Sequence, residues 1–298
     1  MKKVINQQAF SFYRVIGIFF PAIFYCSCLY AADLEVTKLK FFDSSLNESS
    51  GLASHGGFFW SINDSGNRNE VLQLSRAGNL INSIEITNAV NIDWESLAQD
   101  EDYLYIGDIG NNFNHRNIFT IYKIAWHLLE NNSAAAEIIT FSYSNYKKGN
   151  FDSHNFDAEG IAVREQEIWL FTKNRGDGNS DLYRFPKIPG HYEPKKSQSL
   201  TVGSLVTAAD IDPITGNLVL LSTRRQEEGW VNILWSAPTT DSSVIWDSST
   251  SINISPSDQW EGVLWKRSDG SILLTHEKNT RSAAGLAILS SEALKFVE

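Results

Sequence analysis

The chain has 298 residues, 42% hydrophobic and 20% charged, enough to bury a sizeable core and without the bias of a disordered or fibrous protein. Its 25 Lys and Arg against 35 Asp and Glu give a net charge of −10, and the basic residues never gather into a run that could follow a phosphate backbone. No nucleic-acid partner is expected.

Lys2, Lys3 and Arg14 precede VIGIFFPAIFYCSCLYAAD, an apolar stretch that closes on small residues at Ala31 and Ala32. That order predicts a secretory signal over 1–32 and a single domain over 33–298, periplasmic or secreted. Pro21 and the shortness of the run argue against a retained anchor, so no transmembrane span is expected after cleavage. Lipid attachment at Cys28 ranks second, because Tyr25, Cys26 and Ser27 make a poor lipobox. Cleavage removes three basic and no acidic residues, taking the net charge to −13, and removes both cysteines. Disulfides are not expected as staples, even in an oxidising compartment.

Next in the chain, LEVTKLKFF reads as a strand, and five copies of one unit follow it. Each copy begins with an inner strand: ESSGLAS at 48, DWESLAQ at 93, DAEGIAV at 157, TAADIDP at 207 and QWEGVLW at 259. Measured at Gly51, Ser96, Gly160, Asp210 and Gly262, the steps are 45, 64, 50 and 52 residues, which is repeat spacing. Second strands end in polar clusters: FFWSINDSGN, YLYIGDIGNN, IWLFTKNRG, LVLLSTRRQ and SILLTHEKN. Third strands are predicted at EVLQLS, IFTIYKI, DLYRFP, NILWSA and GLAIL, and fourth strands at INSIEIT, EIITFSY, QSLTVGSL and SVIWDSS. Short runs rich in Val, Ile, Phe, Tyr and Trp between Gly, Asn, Asp and Ser are the mark of antiparallel strands joined by turns. AWHLLENNSAAAE is the one stretch with helical character, inside the longest step.

Four-stranded units at this spacing predict an all-β fold, a β-propeller of antiparallel blades around a central channel. Five blades are favoured over six, although the step from 96 to 160 leaves room for a degenerate sixth. The fifth unit lacks a fourth strand, and LEVTKLKFF can supply its outer edge and close the ring. A monomer without linkers is expected.

In a propeller the innermost strand starts on the face where the second strand ends. One mouth of the channel therefore collects Asp93, Glu95, Asp157, Glu159 and Glu261 from strand starts, with Glu48 and Asp210 offset in register. From second-strand ends it collects Asn63, Asp64, Asp108, Lys173, Asn174, Arg224, His276, Glu277 and Lys278. The following loops each carry an arginine, at Arg68, Arg116, Arg175, Arg225 and Arg281. The predicted ligand-binding set is Asp64, Glu95, Asp108, Glu159, Lys173, Arg224, Glu261, His276 and Glu277. Within it, Glu95, Asp108, Glu159 and Glu261 are the candidate ligands for calcium, which takes oxygen donors; arginines gripping an anion are the other option. Acids at these starts also accept amides of the neighbouring blade, so a clasp between blades stays open. Asp177, Asn179 and Asp181 in DGNSD alternate like the front of a calcium loop, but the glycine and distal glutamate of that loop are missing. Trp94 and Trp260 are expected to pack between blades.

INDSGN, NIDWESLAQDEDYLYIGDIGNN, IYKI, FDAEGIAV, LFTKNR, LYR and VTAADIDPITGNLVLL resemble a widespread group of secreted bacterial β-propellers. That group is related in appearance to the SdiA-regulated proteins and to propellers described as phytase-esterase-like. The resemblance covers nearly all of 33–298 and implies a propeller and export, with no single reaction. Calcium-dependent propeller phytases and gluconolactonase-like propellers use carboxylates at the channel mouth; the acidic signature block of those phytases is absent here, and the lactonase metal set is not matched residue by residue. Three functions follow as expectations: binding of a small or extended ligand, with or without a metal ion; calcium-dependent hydrolysis of a phosphoester or lactone; and a protein-interaction platform.

Overall fold

The computed structural model describes residues 33–148, 150, 153–227, 229–266 and 268–290; the predicted signal, with Cys26 and Cys28, lies outside them. Residues from Asp33 onward form one compact unit. Among the described residues the helical content is three short 3-10 turns, and no helix is long and apolar enough to cross a membrane.

The remaining elements are strands. β1 (Leu34–Glu35) and β2 (Thr37–Phe41) precede blade one, which runs β3 (Ser49–His55), β4 (Phe58–Asn63), β5 (Glu70–Leu74) and β6 (Leu80–Ile86). Blade two contains β7 (Trp94–Gln99), β8 (Tyr103–Asp108) and β9 (Phe119–Ala125), then after the short β10 (Ser133–Ala134) its outer strand β11 (Glu137–Phe141). Blade three is β12 (Ala158–Arg164), β13 (Glu167–Thr172), β14 (Ser180–Pro186) and, past β15 (Gly190–Tyr192), β16 (Lys196–Leu200). Blade four is β17 (Leu205–Ile211), β18 (Leu218–Gln226), β19 (Gly229–Ala237) and β20 (Thr250–Ser255); blade five is β21 (Trp260–Lys266), β22 (Ser271–His276) and β23 (Gly285–Leu289).

The innermost strands touch in turn, β3 to β7 to β12 to β17 to β21, and β21 touches β3. The ring is closed with five members. Five apolar clusters lie between successive blades, the last joining Leu52 and Phe59 of blade one to Leu264 and Leu273 of blade five. Trp94 and Trp260 are buried in two of these clusters, each donating its indole N–H to a carbonyl four residues back, Val90 and Pro256, at 3.1 Å. A buried indole that keeps its hydrogen bond contributes its full apolar area to the blade interface.

Ring closure follows the expectation in part. β2 pairs antiparallel with β23 and forms the outer edge of blade five, but β1 pairs parallel with β20, so one segment ties blade four to blade five. Two further outer edges are covered in the same way: β10 lies parallel on β6, and β15 lies parallel on β11. At the edge of blade three, the Gln198 side chain exchanges hydrogen bonds with the Val244 backbone, at 2.8 and 3.0 Å, in place of a strand. Each device occupies backbone groups that would otherwise recruit a foreign strand.

No sixth blade occurs among the described residues. The extra length between Ser96 and Gly160 goes into loops, a 3-10 turn at Trp126–Glu130 and β10. AWHLLENNSAAAE therefore holds no α-helix: Trp126 packs against Trp60 and His55 of blade one, and this tertiary contact outweighs the helical preference of the alanines. SVIWDSS is likewise not the outer strand of blade four. Trp246 turns inward against Trp235, with ring centroids 5.3 Å apart, and the strand begins later, at Thr250.

Candidate functional site

Every innermost strand carries a register shift close to its start: between Ser49 and Leu52, Trp94 and Ser96, Ala158 and Gly160, Val206 and Ala208, and Trp260 and Gly262. A bulge of this kind leaves one residue unpaired and re-aims its side chain. The residues at the shift are Glu95, Glu159, Thr207 and Glu261, with Ser50 and Gly51 in blade one. Gly51 has φ +99, and a Cβ there would lie 2.7 Å from the Leu97 nitrogen of the next blade, so only glycine fits. The true equivalent of Glu95 in blade four is Thr207, three residues before Asp210. Asp210 instead accepts the Trp265 N–H of blade five at 2.8 Å, clasping two blades.

A second tier lies just past the second strands. The N–H groups of Asp64, Ile109, Lys173 and Glu277 donate to the carbonyls of Glu48, Asp93, Asp157 and Gln259 at 2.9, 3.1, 2.9 and 3.0 Å. The strand pairing of β17 with β18 puts Thr223 at the same level in blade four, opposite Leu205. Blades one, two, three and five therefore bring acids to the mouth, and blade four brings threonines.

The charges act on one another across the ring. Lys173 Nζ lies 2.6 Å from Glu159 Oε1. Burial opposes its charge, but Glu159, Glu261, Asp157 and Glu95 together push its pKa up, so it stays an ammonium. Burial raises Glu159 well above the ordinary range even with Lys173 beside it. Glu95 is only 5% exposed and is raised well above its ordinary value, by burial and then by Glu159, Asp64 and Asp93. Its carboxylate accepts no hydrogen bond from any described residue. Burial lifts Asp93 to about 6, Glu261 to about 7 and Glu277 to about 8, with neighbouring acids adding to Asp93 and Glu277 and Asp64 adding to Glu261. Asp64 is raised as well, chiefly by burial. Glu261 Oε2 is buried and also lacks a hydrogen-bond partner.

Of the nine residues predicted for the site, Asp64, Glu95, Glu159, Lys173, Glu261 and Glu277 are brought together here. The others are placed differently. Asp108 is buried, with Oδ1 2.8 Å from Arg116 Nη2 and accepting the Asp93 N–H at 3.0 Å. Arg224 is exposed on the part of β18 that runs past the mouth, paired across the hairpin with Val231. His276 is 1% exposed, lies edge-on to Trp260, and has Asp258 3.5 Å from Nδ1. Ser282 approaches that same nitrogen at 3.5 Å while donating to Asp258 at 3.0 Å, so Ser282, His276 and Asp258 do not form the relay that a hydrolytic triad needs.

The five arginines split. Arg116 holds Asp108, and Arg175 holds Asp157 with Nε 2.9 Å from Oδ2; Arg68 pairs with Glu70, and Arg225 and Arg281 are exposed. Asp157 also accepts the Asn111 N–H of blade two at 2.7 Å, a clasp between blades. In DGNSD, Asp177 accepts from Asn155, Asn174 and Asn179, while Asp181 is held by Ser199 and Lys196. Those oxygens already have protein donors. Outside the mouth, a cavity of about 540 Å³ lies among loops of blades two and three, lined by residues that include Asn114, His154, Phe156, Tyr183 and Lys196.

Two residues at the mouth lay outside the predicted ligand-binding set: Asp93, expected at this mouth but not as a ligand contact, and Gly110. Asp93 approaches Asp64 and Glu95 so that one oxygen of each lies within 4.8 Å of the others. Gly110 faces the Asp93 and Glu95 carboxylates, where a Cβ would collide with both. The first D of the DWE triplet was the signal for Asp93; nothing in the sequence distinguishes Gly110 from a turn glycine.

No family model matches the chain, and no curated protein does either. Among solved structures, a hypothetical protein from Leishmania major is 10% identical with a TM-score of 0.48, covering 87% of this chain and 91% of that one. The WD40 β-propeller domain of Doa1 is 9% identical with a TM-score of 0.42, covering 87% and 97%. Kuenenia stuttgartiensis hydrazine synthase is 13% identical with a TM-score of 0.43 over 83% of this chain, which spans 64% of the hydrazine synthase chain.

Proposed function

We propose that this β-propeller is a binding protein that takes a positively charged group, a metal ion or an organic cation, at the mouth of its channel. The observation that carries the reading is Glu95, a buried carboxylate with no hydrogen-bond donor among the described residues, flanked by Asp64, Asp93 and Glu159. A buried carboxylate without donor or counter-ion costs free energy, and a cationic ligand removes that cost. Lys173 cannot serve all the acids around it, because its ammonium is engaged with Glu159. The secretory signal expected over 1–32 and the resemblance to exported propellers support binding outside the cytoplasm.

A second reading, hydrolysis of a phosphoester or lactone with calcium, draws on Glu261 at about 7 and Glu277 at about 8, acids poised to exchange a proton near neutrality. Thermal melting against calcium chloride, spermidine and lysine separates the two. Binding predicts that at least one cation raises the melting temperature, and that Glu95→Gln weakens that effect tenfold or more in concentration. If no cation shifts the melt, the binding reading fails. Turnover of p-nitrophenyl phosphate or a simple lactone, lost in Glu277→Gln, would establish the second reading instead.

A further inference from the structure

We propose that Asp64, Asp93 and Glu95 form a site for a hard divalent cation, calcium in preference to magnesium. This rests on the reading of the mouth given above and commits it to a metal.

The spacing fits one ion. Calcium binds oxygens at about 2.3–2.6 Å, so oxygens across its shell lie up to about 5 Å apart. One oxygen each from Asp64, Asp93 and Glu95 falls within 4.8 Å of the other two. All three donors are carboxylates, a set that favours calcium or magnesium over metals preferring nitrogen or sulfur. The acids come from two blades and reach inward by side chains of unequal length, an irregular arrangement that calcium tolerates and the strict octahedron of magnesium does not.

Proximity of acids alone would not make a site, but the state of Glu95 points to an occupant. Glu95 is 5% exposed, and its carboxylate has no protein donor. The Asp93 carboxylate has none either, and Asp64 is served only by the N–H and the hydroxyl of the adjacent Ser65. The basic groups nearby are committed elsewhere, Lys173 to Glu159 at 2.6 Å and Arg116 to Asp108 at 2.8 Å. Gly110 holds the Asp93 and Glu95 carboxylates in this position. It is not among the glycines with left-handed φ, so no backbone demand explains it. A Cβ there would run into Asp93 Oδ2 and Glu95 Oε1. The glycine lets these two carboxylates pack directly against the backbone, where any side chain would displace them. Three carboxylates leave further positions of a calcium shell for water or for an oxygen of the ligand, so the cation would be the point at which an oxygen-bearing ligand attaches.

Titration calorimetry of chelator-treated full chain with calcium chloride and magnesium chloride tests this, together with terbium luminescence sensitised by tryptophan. A calcium dissociation constant below about 1 mM is expected, with magnesium at least tenfold weaker. Asp93→Asn and Glu95→Gln should each weaken calcium tenfold or more. Gly110→Ala should do the same while leaving every charge in place, and Asp177→Asn in the remote turn should change nothing. Absence of both calcium and terbium binding to the folded wild type overturns the proposal, as does calcium binding that survives Asp93→Asn and Glu95→Gln. If calcium fails but spermidine or lysine still binds in a Glu95-dependent way, the metal is refuted and the cation-binding mouth stands.

Discussion

Glu95 and Glu159 occupy the same bulge in adjacent blades, yet their surroundings differ by one side chain. In blade three the residue past the second strand is Lys173, which pairs with Glu159; in blade two it is Ile109, which packs into the core between blades and leaves Glu95 without a cation in contact. Replacing Lys173 by Met should therefore cost about 3 kcal/mol, because it strands Glu159 in a buried site, and urea denaturation measures the loss. The raised acids also set a pH dependence. Their folded values, about 6 for Asp93, 7 for Glu261 and 8 for Glu277, lie above the unfolded values near 4 to 4.5. Through that window the folded state holds protons that the unfolded chain has released, so stability is fully present below about pH 4 and is lost as pH rises to about 8. Asp258 and Asp269 work in the opposite sense, since burial opposes but His276, Ser282 and Lys38 lower the first, and Lys266 and Ser271 hold the second at about 2; their contribution is lost only in acid. The metal-free protein should accordingly melt higher near pH 5 than near pH 8.5. Glu277→Gln should flatten the upper part of that decline, and a melting series in the presence of a chelator checks both.

At the scale of elements, the bulge at the start of each inner strand is the device that turns a structural repeat into a site. It was legible only in part. The triplets DWE, DAE and QWE align Glu95, Glu159 and Glu261 correctly, since in each the glutamate is the residue at the register shift. TAADIDP misleads, because setting Asp210 level with Ser96, Gly160 and Gly262 puts Ala209 at the glutamate position, while the shift lies at Thr207, where Oγ1 donates to the Trp260 carbonyl at 2.8 Å. The copy in blade four has no acid at the shift to mark its register, which the pairing of β17 with β18 sets instead. Clasping between blades falls mainly to other residues than the three glutamates. Asp157 holds Asn111 and Arg175, so Asp157→Ala should leave a buried N–H unpaired and Arg175 without its counter-ion, and cost about 2–4 kcal/mol by denaturant unfolding. The outer strands were the least legible elements, because half-exposed segments such as Ser133–Ala134 and Gly190–Tyr192 are placed by the edge they cover and carry little pattern of their own.

The whole molecule depends on closure. Leu34, Val36 and Phe42 are buried, and the strands between them complete blade five and cap blade four. A chain beginning at residue 43 should lose these contacts, expose the β23 edge and aggregate on warming at a markedly lower temperature than the chain beginning at residue 33. Light scattering during a melt reads this directly. The sequence by itself determined the repeat, the strand class and the facing of Glu95, Glu159 and Glu261 to one mouth, because alternation and turn residues act over a few positions and recur along the chain; it favoured five blades over six, and ring closure decided between them. Which acids are neutralised, which clasp blades and which stand bare was decided by the tertiary structure alone. Charge pairing depends on distances of a few ångströms between residues as remote in the chain as Asp64 and Glu261, and only the closed ring sets those distances.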